Sequence, residues 1–255
     1  MTYRARMHAD QIALQLYTVR HQAAGDLPAT LAAVARAGYR RVEIAGLPLT
    51  DPVALAGHLA DAGLQVVAVH ESIEGLRADP DAAIARLLTL GSPRVVVPIM
   101  PEPDRVTPDA VRRFAAELNG LATLFAAQAI RFGYHNHSFE FAAFHGTRIW
   151  DVLLDELTTA VDLEIDVYWA AGGGEDPAAL IRANAGRVKT LHMKDRGVGP
   201  AFADAPAGQG TLDVPSIVAA GRAAGVEWYI AEQDDAIEPL VDIATAFGYL
   251  TSLAE

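Results

Sequence analysis

Cysteine is absent from the 255 residues. That excludes disulfides, thiolate metal sites and a cysteine nucleophile, and it fits a reducing interior. No stretch approaches the roughly 18 consecutive apolar residues of a spanning helix. Residues 1–10 are polar and carry no apolar signal core, so a cytoplasmic setting is expected, without a membrane. Positive charge is scarce: Lys plus Arg is 20 against 32 for Asp plus Glu, a net charge of −12. A surface of that sign repels phosphate backbones, so no nucleic-acid partner is expected. No Gly-x-Gly-x-x-Gly follows the first strand. The run Gly172-Gly173-Gly174 lacks the Lys-Ser/Thr of a phosphate loop and is expected to be a flexible connection.

What is present suits a large core. Hydrophobic residues make up 51% and charged residues 20%. The length matches a single (β/α)₈ barrel over residues 1–255 as one domain. Short β-branched runs at 11–17, 41–44, 65–70, 94–98, 130–135, 162–166, 187–192 and 227–232 predict eight strands. Amphipathic stretches near 28–37, 51–62, 80–90, 107–128, 147–157, 176–185, 213–224 and 237–252 predict the helices between them. Thr107-Pro108 and Asp176-Pro177 are helix starts, and Gly38, Gly63 and Gly225 are stops. Alternation of this kind implies a parallel sheet with right-handed crossovers, and the length favours closing it.

In such a barrel the working face lies at the C-terminal ends of the strands. Polar residues accumulate there: His70-Glu71, His135-Asn136-His137 running on to Glu140, Asp166 with Tyr168-Trp169, His192 with Lys194-Asp195, and Glu232-Gln233-Asp234. Glu140, Asp166 and His192 are 26 residues apart and Glu232 is 40 further on, so closure would bring them around one rim. Three carboxylates and an imidazole in a small space call for a divalent cation. Oxygen donors with one His suit Mn²⁺, Mg²⁺ or Co²⁺, with Zn²⁺ also open. Glu164, next in the alternation with Asp166, is expected on the outside of the barrel. His135 and His137 share a face by the strand period. Asp195 is expected to pair with Lys194, and Trp169 is either packing or a substrate platform.

Several segments resemble the sugar phosphate isomerase/epimerase family of xylose isomerase-like TIM barrels. They are 12–20 (IALQLYTVR), 133–141 (GYHNHSFEF), 166–169 (DVYW), 192–195 (HMKD), 208–210 (GQG) and 228–234 (WYIAEQD). The family more often has Gly-Glu-Gly where this chain has Gly208-Gln209-Gly210. The resemblance implies one divalent metal, Mn²⁺ first, on Glu140, Asp166, His192 and Glu232. Glu140 is preferred to His135 as the strand-five ligand, although a simple alignment puts His135 at the strand end. Glu232, Glu140 and His137 are then candidate bases or acids, and Lys194 a donor to a developing oxyanion. Gln15, His70, His135 and Trp169 would line a sugar pocket; barrels of this family are often dimers or tetramers, so the resemblance leaves a homo-oligomer open.

The implied activity is isomerisation or epimerisation of a small-molecule sugar, by proton abstraction beside a carbonyl through a metal-stabilised enediolate. The alternative is a lyase or dehydratase that expels a β-hydroxyl or β-alkoxyl from a keto-sugar, keto-glycoside or keto-inositol. A phosphodiesterase acting on damaged DNA and a non-catalytic sugar-binding barrel are the readings from other classes.

Overall fold

The computed structural model describes residues 7–47, 51–198 and 203–254. Eight parallel strands close into a barrel: Ile12–Gln15, Arg41–Ile44, Gln65–His70, Arg94–Val97, Arg131–His135, Val161–Asp166, Val188–Met193 and Trp228–Ala231. Each strand pairs with its neighbours in sequence, and the first pairs with the eighth through Ile12–Tyr229, Ala13–Ile230 and Leu14–Ala231. All eight predicted strands are present. Their continuous apolar runs, such as Val95-Val96-Val97, are buried on both faces, as a parallel barrel requires.

Helices cover the outside. Six of them begin with an Asp or Thr cap and a proline one or two residues on: Asp26, Asp51, Asp79, Thr107, Asp176 and Asp213 each accept a backbone amide of the first turn. The cap satisfies one orphan donor, and proline there forfeits no helical bond. The sheet's outer face and the helices enclose the main core. In it Phe114, Leu118 and Phe125 of the helix Pro108–Ala126 pack with Val95, Val97 and Phe132. Gly38 ends the helix Leu27–Arg36 at φ +116°, and a Cβ there would overlap the Phe247 ring.

Three short helices were not expected: Arg20–Gly25, Ile73–Ala78 and Val167–Gly172. Six residues are too few to show a periodic apolar stripe. The last of them ends on Gly172, the first residue of the glycine run expected as a connection, and Gly173 and Gly174 form the turn that follows. Asp166 caps the helix directly, its Oδ1 accepting the Trp169 amide at 2.9 Å. Among the described residues no helix is long and apolar enough to cross a membrane.

The N-terminal end of the barrel is plugged by charge. Arg94, 2% exposed, sits 2.8 Å from Glu227 and 3.4 Å from Asp162, and Arg131 clasps the same two carboxylates. Ala13, Val67 and Ile230 form a small apolar cluster apart from the main core. Ala13 and Ile230 lie two residues before Gln15 and Glu232, on the same strand faces, so this cluster separates the plug from the polar groups above.

Removing Arg94 leaves Asp162 buried with Arg131 alone. We expect Arg94→Ala to cost about 3 kcal/mol in chemical denaturation, in line with breaking a buried ion pair. A loss under about 1 kcal/mol would show that Arg131 suffices.

Candidate active site

Two layers of polar side chains line the C-terminal half of the barrel. The deeper layer is Gln15, Glu43, His70, Glu164, Thr190 and the inner edge of His192. The strand register builds it: Gln15 faces Glu43, and Glu164 faces Thr190. His192 Nε2 lies 2.7 Å from Glu43 Oε2 and 3.1 Å from Glu164 Oε1, while His70 Nε2 lies 2.7 Å from the same Glu164 oxygen. Gln15 donates to Glu43 at 2.8 Å and Thr190 to Glu164 at 2.7 Å. Burial works against charge on His70, but Glu43 and Glu164 outweigh it and raise its pKa to about 10. His192 is pushed up by Glu164, Glu232 and Glu43 against the same burial.

Glu164 is therefore inside the barrel, contrary to the expectation from sequence. Residues two apart on a strand share a face, so an inward Asp166 requires an inward Glu164. Gln15, expected in the sugar pocket, is fully buried in this layer beneath it.

The upper layer holds His135, Asp166, His192 and Glu232, each buried, with one donor atom apiece within 4.8 Å of all the others. Donors about 2.1 Å from a single ion lie up to about 4.2 Å apart, so small adjustments would seat a cation. The chemistry of the donors agrees. His135 Nδ1 lies 3.1 Å from the Pro98 carbonyl, which accepts only, so Nδ1 carries a hydrogen and Nε2 is the edge turned toward the cluster. That Nε2 is buried without a hydrogen-bond partner, 3.5 Å from Asp166 Oδ2. His192 is held on the opposite edge by Glu43 and presents Nδ1 to Glu232 at 2.7 Å. Imidazoles fixed by a carbonyl or carboxylate on one nitrogen are typical metal ligands on the other. The deeper set of Glu43, His70, Glu164 and His192 also brings donor atoms within 4.8 Å, but there both imidazoles are already bonded to carboxylates, His70 to Glu164 and His192 to Glu43, with Glu43 Oε1 left over.

Glu140 does not join the upper layer. The chain turns after His137, and the carboxylate accepts the Tyr134 hydroxyl at 2.7 Å and the His137 amide at 2.9 Å. It ties down the strand-five loop, and His135 stands at the strand-five place in the cluster. Burial pushes the Glu140 carboxyl up to about 7, against those two bonds.

Lys194 is 1% exposed, with Nζ 3.1 Å from Asp166, 3.0 Å from Glu232 and 2.7 Å from Asp234. Burial opposes its charge, but the three carboxylates raise its pKa well above the usual lysine range. Asp195, expected to pair with Lys194, instead accepts the amides of Gly208, Gly210 and Leu212. That clasp explains the Gly208-Gln209-Gly210 turn, since a Cβ at Gly210 would overlap the Asp195 carboxylate.

Above the cluster is a cavity of about 290 Å³ lined by His70, His135, His137, Trp169, Lys194 and Glu232, among others. Tyr17, Gly46 and Asp234 also line it. His137 is half-buried, its ring 5.4 Å from Trp169, and its Nδ1 has no partner. Burial, then the neighbouring His135, holds its pKa down at about 3, so the ring is neutral.

A family model described as xylose isomerase-like TIM barrel matches residues 31–253. The chain belongs to that family. Among solved structures, a sugar phosphate isomerase/epimerase from Parabacteroides distasonis ATCC 8503 superposes with a TM-score of 0.83 at 22% identity, over 98% of this chain and 96% of that one. An L-ribulose 3-epimerase gives 0.71 at 19% identity, over 97% and 94%. The IOLI protein, with a bound zinc atom, gives 0.73 at 14% identity, over 95% and 97%. At these identities the likeness is one of fold. Comparison with curated proteins returns no match.

Two outcomes follow from this arrangement. His135→Ala should lower the metal content of the purified protein, while Glu140→Gln keeps it at the wild-type level. The reverse pattern in elemental analysis would restore Glu140 as the ligand. Second, the folded pKa of Glu140 lies above its ordinary value of 4.5. Ionisation therefore costs stability, a cost absent below pH 4.5 and complete above about 7. In chelator, Glu140→Gln should gain about 3 kcal/mol on wild type between pH 4.5 and 7.5, at 1.36 kcal/mol per pKa unit. Parallel stability curves would contradict this.

Proposed function

We propose that this protein is a divalent-metal-dependent enzyme that removes a proton from the carbon beside a carbonyl in a small sugar, and so acts as an isomerase or epimerase. The observation that carries the reading is the converging donor set of His135, Asp166, His192 and Glu232 on the floor of a cavity at the C-terminal end of the barrel. Two imidazoles and two carboxylates suit Mn²⁺, Co²⁺ or Zn²⁺ better than Mg²⁺, and Mn²⁺ is our choice. When bound, the cation supplies Lewis-acid polarisation of a carbonyl and offsets the charge that develops there.

The chain's own groups do the rest. His137 lines the cavity with its Nδ1 unpartnered, so it can accept a proton; Glu232, kept ionised by Lys194 and His192 despite burial, is the second base. Lys194 keeps its proton and donates to an oxygen that gains negative charge. Trp169 offers a flat apolar face to the sugar ring. His70 lines the cavity with its Nε2 tied to Glu164, which orients the ring.

One feature favours elimination as a second reading. With His135 in place of a strand-five carboxylate, the candidate bases are an imidazole and a carboxylate rather than a matched carboxylate pair. Unlike groups suit one that takes a carbon proton and one that assists a leaving oxygen. On either reading the partner is a small-molecule sugar and not a nucleic acid.

The test is deuterium exchange into carbonyl sugars in D₂O with Mn²⁺, followed by proton NMR. Asp166→Ala and Glu232→Ala should abolish exchange and lower metal content. His137→Ala should keep the metal and slow exchange by about 10²–10⁴, the usual worth of a general base. Exchange undiminished in all three variants would end the proposal.

A further inference from the structure

A second, larger cavity of about 650 Å³ adjoins the first. Tyr17, Trp169 and Asp234 line both, so the two meet along these side chains. The outer cavity lies over the loop after the eighth strand and the start of the helix Pro239–Ser252. Its wall is acidic, with Asp204, Asp234, Asp235, Glu238 and Asp242 among the lining groups. Against these stands Arg20, whose guanidinium lies 3.9 Å from the Tyr17 ring centre and donates to the Tyr17 carbonyl. Lys194, which lines the inner cavity, is already enclosed by three carboxylates.

(β/α)₈ barrels frequently seat a phosphate on the loops after strands seven and eight and a helix N-terminus. Among the described residues that place disfavours anions. Glu238 is the residue preceding the last helix, and its amide donates to Asp242 of the first turn. A carboxylate therefore takes a hydrogen that a phosphate would need. A phosphate dianion would also meet a wall of its own sign. The same surface suits an uncharged polyol. Carboxylates accept hydroxyl hydrogens, and the aromatic side chains Tyr17, Tyr168 and Trp169 in the lining add apolar surface for sugar C–H groups. Ile237, 94% exposed, adds an apolar patch that a second ring would cover.

We propose that the substrate is an unphosphorylated carbonyl sugar bearing a second sugar ring, with the reacting ring in the inner cavity and the second ring in the outer one. This rests on the proton-abstraction reading of the inner site and names its substrate class. Phosphorylated monosaccharides are poor ligands.

The experiment compares ligands built on one ketose, using the full chain with Mn²⁺ and isothermal titration calorimetry. The probes are fructose, fructose 1-phosphate, fructose 6-phosphate and the glucosyl-fructoses trehalulose, turanose, maltulose and isomaltulose. At least one disaccharide should bind about tenfold more tightly than fructose, and both phosphates about tenfold more weakly. The double variant Asp235→Asn with Glu238→Gln should narrow the gap between the phosphates and fructose. A phosphate that binds as tightly as fructose, or no disaccharide that exceeds fructose, overturns the proposal. Binding of no probe overturns it together with the reading of the inner site. Exchange of a fructose carbon proton without disaccharide preference sinks only the substrate class. Preference without exchange sinks only the proton-abstraction reading.

Discussion

Negative charge buried inside the barrel is the constraint on which the rest of the site depends. Glu43, Glu164 and Asp166 are each at most 1% exposed, and Glu232 is 8% exposed. Carboxylates at that depth persist only when positive charge and donors surround them. The deeper two are answered by His70, His192, Gln15 and Thr190. The upper two are answered by Lys194 and His192, and the buried His135 Nε2 beside them has no hydrogen-bond partner. A divalent ion meets both needs at once.

His192 connects the two layers. One ring edge touches Glu43 and Glu164, and the other touches Glu232. Its orientation is therefore set from below by residues that never reach the cavity floor. Glu140 has a comparable indirect task on the fifth strand, where its bonds to Tyr134 and the His137 amide fix the loop that carries His137.

Much of this was legible in the sequence. The eight strands and the eight longer helices stand where the β-branched runs and the capped amphipathic stretches put them, because caps, proline and glycine are local signals. Asp166, His192 and Glu232 were found as polar residues ending apolar runs, and the structure brings them together. Glu43 was missed, although an acid within the inward register of the second strand was a usable sign. Glu164 was misplaced by an error in strand parity. Between Glu140 and His135 at strand five the sequence left both open, with Glu140 preferred, and it is His135 that lies in the cluster. The outcome turns on the backbone path after His137, where a short 3₁₀ turn, Phe139–Phe141, swings the carboxylate back under Tyr134, and no periodic pattern encodes such a turn.

The arginine plug has a bearing on traffic. With Arg94 and Arg131 locked to Asp162 and Glu227 at one end, the barrel is a vessel with a single mouth. Whatever enters must leave by the same door, past the aromatic side chains that stand at its threshold.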